Sequence, residues 1–87
     1  MLKKTVTIKS PNGLHLRVAA EIARIFRGNQ IEAVFYKDGK TANAQSILEL
    51  LILEAVQHSE VTVIAEGKDA QTALDDIALI LMDGAGI

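Results

Sequence analysis

Ile31-Glu32-Ala33-Val34-Phe35-Tyr36-Lys37-Asp38-Gly39-Lys40-Thr41-Ala42-Asn43 is the stretch whose reading decides the fold. Ile31–Lys37 is rich in β-branched and aromatic residues, which suit a pleated, half-buried surface. Asp38-Gly39 is a two-residue turn signal, because both central positions of the favoured hairpin turn need φ > 0. Lys40–Asn43 is then the returning strand. A hairpin in mid-chain commits the molecule to an antiparallel sheet, and the flanking segments must cover it.

Outward from the hairpin, the chain alternates between the two hydrophobic periods. On the N-terminal side, Lys3–Lys9 places Val6 and Ile8 on one face and Thr5, Thr7 and Lys9 on the other, the pattern of a half-buried strand. Ser10-Pro11-Asn12-Gly13 ends it as a turn cluster. From Leu16 to Arg27 the apolar residues Ala19, Ile22, Ala23 and Phe26 recur at helical spacing, with Gly28 as the expected stop.

On the C-terminal side, Ser46-Ile47-Leu48-Glu49 matches the S-x-x-E capping box and opens an apolar helix expected to end before His58-Ser59. Glu60–Glu66 alternates as a fourth strand, and Gly67 turns the chain. Asp69 is the expected N-cap of a third helix, whose stripe is Ala73, Leu74, Ile77, Ala78 and Leu81. The tail Gly84-Ala85-Gly86-Ile87 is expected to fray. The order is β-α-β-β-α-β-α over a single domain, residues 1–87. Half-polar strands and one-sided helices each need a partner for their apolar face. The expected class is therefore α+β: an open-faced β-sandwich, a four-stranded antiparallel sheet with three helices on one face.

Composition narrows the function. The chain has 87 residues and no cysteine, which excludes disulfides, thiolate metal ligands and a thiol nucleophile, and suits a reducing cytoplasm. Net charge is −2, so neutralising nucleic-acid phosphates is not its main business. Three aromatic residues, Phe26, Phe35 and Tyr36, make no base-stacking platform. The N-terminus lacks the apolar core of a signal peptide, and no stretch is long enough to span a bilayer. His15 and His58 have no companion ligands, so no metal site is expected.

Chemistry concentrates in Asn12-Gly13-Leu14-His15-Leu16-Arg17. Gly13 frees the backbone to turn sharply from strand into helix. His15 then falls at the helix start, where the first amides lack acceptors and the macrodipole is positive. That environment favours an anion and the neutral imidazole, whose lone pair can attack phosphorus. Arg17 adds a permanently charged fork that matches phosphate oxygens. These are the parts of a phosphohistidine site: a nucleophile, amide donors and a counter-charge. Two blander readings compete with it. His15 would be an ordinary surface histidine, and Arg17 would pair only with Glu21 at i,i+4.

Ser10-Pro11-Asn12-Gly13-Leu14-His15-Leu16-Arg17-Val18-Ala19-Ala20 resembles the active-site segment of the HPr family, histidine-containing phosphocarriers of the bacterial phosphoenolpyruvate-dependent phosphotransferase system. Ala42–Leu48 resembles that family's regulatory-serine region, and Val61–Gly67 its fourth strand and turn. The resemblance implies the same β-α-β-β-α-β-α fold. It implies a phosphoryl carrier that is not itself an enzyme and has no bound cofactor. His15 would accept on Nδ1 a phosphoryl group drawn from phosphoenolpyruvate through enzyme I, then pass it to an EIIA-type domain.

By the same resemblance Arg17, with Asn12 and Leu16, would hold the phosphoryl oxygens, and Arg24, Arg27, Ile47, Leu48 and Leu51 would form the docking surface. Ser46 has two readings: an N-cap, or a site for a regulatory serine kinase and phosphorylase with transcriptional regulators as further partners. A cytoplasmic monomer is expected, with no nucleic-acid partner and no membrane insertion. The alternative is a regulatory binding protein of nitrogen-branch or catabolite-control type on this fold. A phosphatase-like enzyme on another βαββαβ fold fits less well, given the histidine segment and the third helix.

Val18 stands where the family usually has proline, and Leu16 replaces a smaller residue. Glu49 and Glu54 stand where many relatives have lysine or glycine, and glycine. These departures bear on partner choice more than on chemistry.

Overall fold

The computed structural model describes residues 1–83; the Gly84–Ile87 tail lies outside the described residues. The elements are β1 (Leu2–Thr7), α1 (Leu16–Gly28), β2 (Glu32–Lys37), β3 (Lys40–Asn43), α2 (Ile47–Ile52), β4 (Glu60–Glu66) and α3 (Ala70–Asp83). The strands form one antiparallel sheet in the order β1-β4-β2-β3.

The decisive hairpin closes as its turn residues require. Lys37 faces Lys40 in the register, and Asp38 and Gly39 take φ of 49° and 81°. Alternation then sorts the two faces of the sheet. Val6, Ala33, Phe35, Ala42, Val61, Val63 and Ala65 are buried beneath the helices. On the open face Thr5 and Thr62 meet across β1 and β4, their hydroxyls 3.1 Å apart. The expected stripe of α3 is buried in full, and α1 contributes Val18 and Ile25 besides the four expected positions. Phe26 and Phe35 are completely buried; each such side chain is worth about 1.5–3 kcal/mol of transfer free energy.

Two helix boundaries and the geometry of one cap differ from the sequence expectation. Gly28 is the last residue of α1 instead of its stop. The chain leaves through Asn29, whose side-chain amide donates to the Ile25 carbonyl at 2.8 Å, and through Gln30 at φ 54°. The Ile31 amide then closes on the Phe26 carbonyl at 3.1 Å, so orphan carbonyls are satisfied without a glycine in the left-handed region.

α2 ends at Ile52 instead of approaching His58. Glu54 turns the backbone left-handed at φ 54°, and the Ala55 carbonyl is spent on the Leu14 amide at 2.8 Å, outside any helix. Asp69 begins α3 through its backbone: its carbonyl accepts from Ala73 at 3.1 Å, while its φ of 65° is not that of an extended cap.

Candidate phosphoryl site at the start of α1

The loop before α1 is fixed at both ends. The Gly13 amide donates to the Ser10 carbonyl at 3.0 Å, and the Leu14 amide to the Ala55 carbonyl at 2.8 Å. Gly13 sits at φ 64°, and a Cβ there would lie 2.5 Å from the Ala55 oxygen and 2.8 Å from the Val56 Cα. Only glycine combines that dihedral with that closeness. The loop therefore lies directly on the segment leaving α2, and His15 comes next in a set position.

His15 is the N-cap of α1, in extended geometry (φ −85°, ψ 178°), and its side chain makes no capping hydrogen bond. Its carbonyl accepts the first helical bond, from Ala19 at 2.8 Å. Among the described residues, the amides of Leu16, Arg17 and Val18 have no backbone acceptor, and the first turn holds no acidic residue. The ring is partly exposed, with Nε2 buried and unpartnered.

Arg17 is exposed and, among the described residues, forms no ion pair. The competing Arg17–Glu21 bridge is absent because Glu21 is engaged by Arg24, which approaches it in a bidentate fork. That contact holds the Glu21 carboxyl below the usual carboxylate range, chiefly through the hydrogen bond. Asn12 is exposed in the loop, and Leu16 projects from the first turn, 61% exposed. The histidine, the bare amides and a free guanidinium thus occupy neighbouring positions at one helix start.

The expected docking residues divide. Leu48 is 68% exposed, but Ile47 and Leu51 are partly buried and pack against the core. The outward apolar positions that the sequence reading missed are Ile52 and Val56, 59% and 65% exposed. They were hidden by the expectation of a longer helix; a turn after Ile52 re-aims the residues beyond it. Arg24 and Arg27 are both exposed on α1, yet neither is idle. Arg24 pairs with Glu21, and Arg27 Nε donates to the Gln45 carbonyl at 2.8 Å.

Ser46 caps α2, its hydroxyl accepting from the Glu49 amide at 3.2 Å. The reciprocal half of the capping box is altered. Glu49 accepts from the Asn43 amide at 2.9 Å, and the Ser46 amide donates to the Asn43 carbonyl at 3.0 Å. Among the described residues no cluster of acidic or histidine side chains could hold a metal, and no helix is long and apolar enough to cross a membrane.

Comparison with known proteins bears on the family and the fold. The family described as the PTS HPr component phosphorylation site matches residues 2–83. The phosphocarrier protein HPr of Chlamydia muridarum is 37% identical over 91% of this chain and 76% of its own length. A crystal structure of HPr from Bacillus anthracis superposes with a TM-score of 0.85 at 34% identity, covering 92% of this chain and 95% of that one. An HPr structure from Thermoanaerobacter tengcongensis gives a TM-score of 0.90 at 30% identity, covering 100% and 98%. With the sheet order, the three helices and the histidine-led helix start in place, the chain belongs to the HPr family of the phosphotransferase system.

Proposed function

We propose that this protein is a phosphoryl carrier in which His15 takes a phosphoryl group from enzyme I and delivers it to an EIIA-type domain. The observation that carries the reading is the placement of His15 at a helix start whose first amides are unspent among the described residues, beside an Arg17 with no ion pair among them. Burial of Nε2 supports Nδ1 as the attacking nitrogen. The Nδ1 lone pair forms the bond to phosphorus while the bond from phosphorus to the donor breaks, its electron pair leaving with the donor.

The transferred group carries its negative charge on oxygens that the amides of Leu16, Arg17 and Val18 and the Arg17 guanidinium can receive. Preorganised donors of this kind act without reorganising during the reaction. With Nδ1 bonded to phosphorus, the remaining ring nitrogen is Nε2, which is buried without a partner among the described residues. No substrate pocket is needed, so the protein is a stoichiometric intermediate with no cofactor, its phosphoryl group originating in phosphoenolpyruvate. Retention of both His15 and Arg17 favours transfer over a purely regulatory binding role.

Mixing the protein with enzyme I and labelled phosphoenolpyruvate tests this. An acid-labile, base-stable label is expected on the wild type and absent from His15→Ala. No labelling by any enzyme I of the same cell would end the carrier reading.

A further inference from the structure

Among the described residues, five other than glycine take positive φ: Gln30, Asp38, Glu54, His58 and Asp69. Aspartate and histidine are enriched in the left-handed region, but glutamine and glutamate have no such excuse. Gln30 lies beyond the far end of α1, separated from His15 by a helix about 20 Å long. Glu54, at φ 54°, lies next to the site. Its neighbour Ala55 accepts the Leu14 amide, and the backbone of Ala55 and Val56 presses on Gly13. Glycine would adopt this turn without strain, so the local backbone gives no reason for glutamate.

The surroundings give one. Glu54 is exposed between Ile52 and Val56, and Leu48 precedes Ile52 by one turn of α2. Leu16 supplies a further exposed apolar group on the first turn of α1. A protein that reaches His15 meets Leu16 on the adjoining helix turn and the exposed Val56, whose backbone lies against Gly13. Glu49, the nearest acid on α2, is turned onto the Asn43 amide. Of the cations expected to mark the face, Arg24 is held by Glu21 and Arg27 by the Gln45 carbonyl. Glu54 is left as an acid with no partner in the fold among the described residues, two positions from the exposed Ile52 and from the exposed Val56.

We propose that Glu54 is a donor-docking residue: its carboxylate pairs with a cationic side chain of the phosphoryl donor, enzyme I, as that protein docks over Leu16, Leu48, Ile52 and Val56 to reach His15. This rests on the carrier reading and deepens it. The backbone strain is retained because a charge is needed at that position, where it steers the encounter with the donor.

The test is the rate of His15 labelling by enzyme I of the same cell, measured for the wild type, Glu54→Gly, Glu54→Gln and Glu54→Lys at low and high salt. Wild-type labelling must first be seen; its absence strikes the carrier reading itself. Given labelling, Glu54→Gly and Glu54→Gln should each lower kcat/KM roughly two- to fivefold at low salt, the worth of one exposed ion pair. The loss should lie in KM, Glu54→Lys should lose more, and high salt should erase the differences. Glu54→Gly should melt no earlier than the wild type, separating docking from folding. Equal kcat/KM in all four proteins, or faster labelling of Glu54→Lys, would overturn the proposal.

Discussion

The starts of α1 and α2 face the same physical problem and meet it in opposite ways. Each helix begins with amides that lack intrahelical acceptors. At α2 they are answered locally: Ser46 caps the Glu49 amide, and the Glu49 carboxylate adds an acid to the first turn while binding back to Asn43. At α1, among the described residues, the amides of Leu16, Arg17 and Val18 find no backbone acceptor. The N-cap is a histidine that does not cap, the first turn has no acid, and the second residue is an arginine with no ion pair among the described residues. A helix start that is filled contributes stability; one left open gives up that stability and keeps its donors for a ligand. On the proposed function, the contrast separates a structural terminus from a chemical one.

Substitutions can break or sharpen that contrast. The largest effect is expected from Arg17→Ala. It removes the counter-charge from the open start, and loss of one such donor typically slows transfer about 10²–10³-fold. Because Arg17 is exposed and forms no ion pair among the described residues, the melting temperature should stay unchanged. Stopped-flow labelling beside a thermal melt checks both, and unchanged kinetics would defeat its assigned role.

Ser46→Ala should do the reverse. It removes the cap of α2 and costs about 1 kcal/mol of stability, read by urea titration, with labelling of His15 little altered. Smallest, and most pointed, is Leu16→Glu. An acid on the exposed first turn of α1 would complete the electrostatics that α2 already has, stabilising the fold by about 0.3–1 kcal/mol. It should also slow phosphorylation of His15, because the new carboxylate competes for the same amides and guanidinium. A variant both more stable and equally fast would mean that the open start is not the phosphoryl site.

Much of the fold could be read in the sequence because its signals are local. Asp38-Gly39 fixes the hairpin, alternation fixes β4, and the α3 stripe needs only its own periodicity. The His15 site was legible for the same reason: a glycine, a helix start and an arginine lie within five residues. The features that could not be read depend on contacts between distant segments. The early end of α2 comes from the demand of Leu14 for the Ala55 carbonyl and from the pressure of Gly13 on Val56. Periodicity in Ile47–Val56 contains no trace of either. With the helix boundary went the choice of outward residues, so Ile52 and Val56 replaced Ile47 and Leu51 as the exposed apolar groups. The partners of Arg24 and Arg27 were equally hidden, because Glu21 is reachable from two arginines on one helix and Gln45 lies across the fold.

The unspent amides of α1 are assigned the role of receiving the phosphoryl group carried on Nδ1 of His15. Nitrogen and amide-proton NMR of isotope-labelled protein, before and after phosphorylation by enzyme I, tests that assignment most directly. A phosphorus–nitrogen coupling at Nδ1 of His15 is predicted, with large shifts of the Leu16, Arg17 and Val18 amides and the Glu49 amide at the capped start of α2 almost still. Coupling at Nε2, or first-turn amides of α1 that do not move, would contradict it.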